Sequence, residues 1–215
     1  MASKAPRAPS RPSVVASQPR RHPLGHEVQA FDELRDFPLG LAGEDRAQIA
    51  SALNVILADI RVLHDLYKKS HWVMRGPTFS QLHLLMDVHA GQLDKLIDST
   101  AERIQTLGAI AVGDARHAAE LTTIPRPPDG AEDVPSMLTR LVDAHALVIA
   151  NARDTAERAD DARDLVTNDL LASAVLPVNE LQVWFISEHL VDIPFVTDGD
   201  DAAFGDGDGE ETDAE

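Results

Sequence analysis

Five side chains able to bind a metal ion, His71, His83, Asp87, Asp98 and Glu102, stand within residues 71–108. His83 and Asp87 are four residues apart, as are Asp98 and Glu102, and on a helix that spacing makes each pair neighbours that can hold one ion. Neutral imidazole with carboxylate suits divalent first-row ions, and the oxygen donors increasingly favour a harder, oxidised one. The chemistry suggested is therefore capture and oxidation of a transition metal. Cysteine is absent, which removes thiolate sites and disulfides.

Such donors need a helix to present them. Thr78 with Gln81 spells a capping box, and Gly108 follows the last apolar residue, Leu107. The helix in between carries Leu82, Leu85, Met86, Leu93, Leu96, Ile97, Ile104 and Leu107 on one side. His83, Asp87, Asp94, Asp98 and Glu102 form a second stripe about 150° away. Two readings stand: a solvated polar face, the ordinary fate of charged residues, or a binding stripe. Asp87 and Asp98 are separated by about 16 Å of helix rise, too far for one ion in one chain. An antiparallel copy, related by a two-fold axis near residues 91–93, brings His83 and Asp87 of one chain to Glu102 and Asp98 of the other.

The residues His71-Trp72, Gly76, Phe79, His83, Asp87, Asp98, Ala101-Glu102-Arg103 and Leu107-Gly108 resemble the signature of the Dps family, the mini-ferritins. The resemblance is looser from Glu44 to His189 and does not reach the tails. It implies an all-α, ferritin-like four-helix bundle with a short extra helix in the long crossover between the second and third helices. It makes the five donors an inter-subunit ferroxidase centre, with His71, His83 and Asp87 from one subunit and Asp98 and Glu102 from its neighbour. Fe(II) would be oxidised by hydrogen peroxide, or more slowly by dioxygen, and stored as ferric oxyhydroxide in a hollow homododecamer. Zinc or another divalent ion fits the same donors in place of iron. The resemblance also makes Trp72 a sacrificial one-electron donor, against its plainer reading as helix-end packing. Asp160, Asp161, Asp164 and Asp169 become an acidic entry pore on a three-fold axis, or else an ordinary polar, helix-capping turn. Leu84 and Val88 depart from the family where relatives often carry mineral-nucleating Glu. No Glu-x-x-His occurs in the chain, so the intrasubunit centre of other bundle di-iron proteins has no counterpart.

The remaining chain supplies the other bundle helices. Ile49, Leu53, Ile56, Ile60, Leu63 and Tyr67 recur at helical spacing up to Trp72, and Gly76-Pro77 then turns the chain back. Residues 109–133 read as the crossover, with a short helix near 114–121. A third helix starts at Asp133-Val134-Pro135. The fourth, 167–190, contains Pro177 and is expected to bend there. His89 and His145 fall on apolar stripes and read as hydrogen-bonded core histidines.

The organisation expected is a basic arm and lead-in, 1–43, a bundle, 44–192, and an acidic tail, 193–215. Residues 1–26 hold Lys4, Arg7, Arg11, Arg20 and Arg21 among prolines and no acidic residue. This is the composition of a disordered arm able to touch DNA phosphates, or simply of a solubilising tail. His22, His26 and Glu27 make a weak accessory metal site, because Pro23 and Gly25 interrupt any helix that would present them together. The tail is acidic, glycine-rich and expected to be disordered. A net charge of −17 opposes DNA binding everywhere outside the arm. No signal peptide or membrane-spanning run is expected, and the location implied is cytoplasmic, with nucleoid association if the arm binds DNA.

Overall fold

A computed structural model of the protein describes residues 25–191. These divide between Ala30 and Phe31 into two units. Residues 25–30 of the first carry no helix. The second unit is helical and, among the described residues, without strands: α1 (Gly43–Val73), α2 (Phe79–Thr106), α3 (Ala115–Leu121), α4 (Val134–Asp161), α5 (Leu165–Leu170) and α6 (Leu176–Ser187). Most of the basic arm and the whole acidic tail lie outside the described residues.

The first helix forms where its apolar residues recur every three or four positions, and Leu53, Ile56, Ile60, Leu63 and Tyr67 are buried. Glu44 and Asp45 in its first turn complement the helix dipole. Gly76 turns the chain at φ +101°, a conformation that favours glycine. The second helix then runs back, burying Leu82, Met86, Leu93 and Ile104. Its expected capping box is absent. Thr78 has ψ 9° rather than the extended backbone that aims a capping side chain, and it makes no side-chain cap bond.

At the other end Gly108 has φ +95°, and a Cβ there would come within 2.4 Å of the Arg35 carbonyl oxygen. The lead-in is held at this point: Arg35 N–H donates to the Gly108 carbonyl at 2.8 Å, and the buried Arg46 donates to the carbonyls of Arg35 and Leu107. Residues from Phe31 on thus fall in the same compact unit as the bundle helices.

The crossover carries the expected short helix α3, capped by Asp114. It is pinned by Asp59, a fully buried carboxylate on α1. Asp59 accepts from Thr122 Oγ1, the Thr123 backbone N–H, Thr123 Oγ1 and Asn151 Nδ2. Helix α4 is capped by Asp133, which accepts from Ser136 N–H, with proline in the first turn.

The bend expected at Pro177 takes the form of a π turn, Leu171–Val175, between α5 and α6. Leu176 N–H reaches back five residues to the Leu171 carbonyl. Widening the helix by one residue before the proline accommodates a ring that an α-helical ladder would exclude. Counted through this turn, Leu165–Ser187 is long and apolar enough to cross a membrane, contrary to the sequence expectation. In the bundle, however, it packs on α4 and carries the buried amides Asn179 and Gln182.

Candidate metal centre

The turn between α1 and α2 brings His71 and His83 together, their rings stacked with centroids 3.7 Å apart. Nδ1 of His71 bonds the His83 carbonyl at 2.8 Å, and Nδ1 of His83 bonds the His71 carbonyl at 3.0 Å. A carbonyl only accepts, so both Nδ1 atoms carry the proton and both Nε2 atoms keep a free lone pair. The backbone thereby sets the tautomer and ring orientation that a metal ligand requires. Phe79 stacks on the outer side of His83 at 5.0 Å.

Asp87 lies one turn beyond His83 on α2. Lys68 Nζ donates to its carboxylate at 2.5 Å. That hydrogen bond, then the Lys68 charge, and more weakly His71 and His83, hold the Asp87 carboxyl below the usual range. A cation bound at Asp87 would have to displace an ammonium group. The signal was legible in principle: Lys68 precedes His71 by three residues and so shares its face of α1.

Asp98 and Glu102 stand further along α2, both exposed, with no hydrogen bond or ion pair to any described residue. Among the described residues, no three His, Asp or Glu side chains of one subunit form a metal-holding group. The candidate donors thus fall into two separated groups, His71 of α1 with His83 and Asp87 of α2, and Asp98 with Glu102 further along α2.

Trp72 is 71% exposed beside His71, not buried as helix-end packing would be. Leu84 and Val88 are also exposed, at 63% and 58%. Of the acidic residues between the third and fourth bundle helices, Asp160, Asp161 and Asp169 are exposed. Asp164 is buried: it accepts from Arg103 Nη2 at 2.6 Å and Thr167 Oγ1 at 2.5 Å, and caps α5 through the Thr167 N–H. Burial alone would raise its carboxyl, but these bonds outweigh it and hold the group low. A carboxylate so engaged fits the helix-capping reading of Asp164 and not a solvated pore. His26 and Glu27 are exposed, and His22 lies outside the described residues. A polar contact not foreseen joins His64 Nε2 to Asp94 at 3.4 Å.

Helical hairpins joined by one long crossover, with histidine and carboxylate side chains on the first two helices, define a ferritin-like protein, and a ferritin-like domain matches residues 50–196. The chain belongs to the Dps family of ferritin-like proteins. It is 56% identical to DpsC from Streptomyces coelicolor, whose structure superposes with a TM-score of 0.78 over 80% of this chain and 100% of that one. A Dps protein from Vibrio cholerae, described as a member of a superfamily of ferritin-like diiron-carboxylate proteins, is 28% identical, with a TM-score of 0.68 over 72% of this chain and 96% of its own. The DNA protection during starvation protein of Agrobacterium fabrum is 27% identical over 70% of this chain and 92% of its length.

Proposed function

We propose that the protein is a ferroxidase and iron store. Fe(II) is bound by His71, His83 and Asp87 of one subunit with Asp98 and Glu102 of a two-fold-related neighbour, oxidised by hydrogen peroxide or dioxygen, and kept as ferric oxyhydroxide within a homododecameric shell. The observation that carries this reading is the reciprocal bonding of His71 and His83, which leaves two Nε2 lone pairs free beside a carboxylate. A merely solvated stripe has no need of that arrangement. The diiron-carboxylate description of the Vibrio relative agrees with the donor set. Trp72, exposed next to His71, is placed to give up an electron when a reactive oxidant escapes.

The DNA association expected of the basic arm rests on residues outside those described, and the net charge of −17 works against it. Iron chemistry is the reading that the described residues favour. The test is the double variant His83→Ala/Asp87→Ala, assayed for peroxide-driven Fe(II) oxidation. The expected result is loss of activity with an unchanged assembly size by light scattering. Retained activity in a correctly assembled variant overturns the reading.

A further inference from the structure

The centre of the bundle holds a polar chain that the metal centre does not use. Tyr67 is the protein's single tyrosine, is fully buried, and precedes His71 by one helical turn, about 6 Å of rise. Its Oη lies 2.6 Å from His145 Nε2 and 3.2 Å from His89 Nδ1. His145 Nδ1 in turn lies 2.8 Å from Asn179 Oδ1, and Asn179 Nδ2 is committed to the Val175 carbonyl at 2.7 Å.

These contacts fix every proton. Because the Asn179 amide nitrogen donates to a carbonyl, its oxygen faces His145, so His145 Nδ1 carries hydrogen and Nε2 is an acceptor. The Tyr67 hydroxyl therefore donates to His145, and its oxygen accepts from His89 Nδ1. Burial pushes the Tyr67 phenol well up, so it stays protonated, and pushes the His145 imidazole down to about 4, so it stays neutral. The result is a neutral phenol with its proton already aimed at a neutral base, in a site shielded from water. That is the arrangement a tyrosine needs to lose an electron and a proton together. A histidine–tyrosine–histidine chain is a costly way to fill a core that leucine would fill.

We propose that Tyr67 is a one-electron donor to the ferroxidase centre, with His145 as the base that takes its proton. The inference rests on the ferroxidase reading above. Hydrogen peroxide takes two electrons and one Fe(II) supplies one, so an oxidant meeting a singly loaded centre lacks an electron. Tyr67 supplies it. Fe(II) becomes Fe(III), the Tyr67 phenol becomes a neutral phenoxyl radical, and its proton moves to His145 Nε2. The peroxide O–O bond breaks, and two solvent protons complete two waters. A second Fe(II) then returns the electron to Tyr67 as His145 returns the proton. Trp72 differs in being exposed and having no hydrogen-bonded base among the described residues, so its oxidation has no such return route built in.

The experiment is freeze-quench electron paramagnetic resonance on the assembled full chain, mixed with less than one Fe(II) per site and then hydrogen peroxide. It is done in wild type and in a Trp72→Phe background, which removes the nearest indole. With a single tyrosine in the chain, any tyrosyl signal is that of Tyr67. The expected result is a transient tyrosyl signal in both proteins, lost in Tyr67→Phe, where spin-trapped hydroxyl radical rises severalfold. His145→Gln keeps the phenol but removes the basic nitrogen, and should lower the radical yield severalfold even if Tyr67→Phe assembles poorly. Fe(II) oxidation with no tyrosyl signal overturns the donor role alone. Absence of Fe(II) oxidation in wild type overturns the ferroxidase reading and this inference with it.

Discussion

His145 and His89 show how far a side chain can be read from its neighbours in sequence. Their places on apolar stripes marked them as core residues, and both are buried, at 0% and 3% exposure. What they bond to was not legible, because Tyr67 and Asn179 come from other helices. Burial lowers both from the ordinary 6.5 to about 4. The unfolded chain therefore binds more protons than the folded one between these values. Stability is complete above about pH 6.5 and is lost as pH falls toward 4, at a cost of roughly 3 kcal/mol for a group shifted that far. The thermal midpoint, measured at fixed protein concentration, should fall steeply from about pH 6.5 to pH 4.5. His145→Gln, with no titrating ring, should flatten that slope; an unchanged slope would mean that His145 does not govern it. The same limit applies at the metal centre. The spacing of His71, His83 and Asp87 announced the donors, whereas the carbonyl bonds that orient them and the Lys68 ammonium on Asp87 depend on two helices meeting.

The helices themselves were legible wherever a local signal decides: the apolar period of α1 and α2, the glycine stop at residue 108 and the Asp133 cap of α4. Misreadings fell where tertiary contact overrides local preference. Thr78 does not cap because the turn at Gly76 takes its backbone elsewhere, and the π turn relocates the irregularity to the residues before Pro177. Asp164 looked like one more surface carboxylate in an acidic run. It is instead the bolt between α2 and α5, through Arg103 and Thr167. Removing one partner of a buried pair strands the other, so Asp164→Ala should destabilise the protein by about 3 kcal/mol. Asp160→Ala and Asp161→Ala, at exposed positions, should stay within about 0.5 kcal/mol of wild type. Urea unfolding of the three variants checks the contrast. Equal effects at all three positions would mean that the Arg103 pair carries no net stability.

At the scale of the whole molecule, the decisive feature is that α2 carries Asp87 and Asp98 too far apart to serve one ion. The distance was readable in the sequence from helix rise alone, but the neighbour that joins the halves is not contained in a single chain. If the halves meet across a two-fold axis, their lesions must complement. A chain with His83→Ala/Asp87→Ala and a chain with Asp98→Ala/Glu102→Ala should each be inactive as pure assemblies. In a mixed dimer one centre collects all four substitutions, and the other collects none. Random co-assembly at equal amounts makes half the dimers mixed, so about a quarter of the wild-type centres should reappear. Fe(II) oxidation would be measured after the two inactive proteins are dissociated and reassembled together. Recovery near that fraction requires donors from two subunits in one centre. No recovery, with size-exclusion and light scattering showing mixed assemblies, would place each centre within a single chain and refute the shared site.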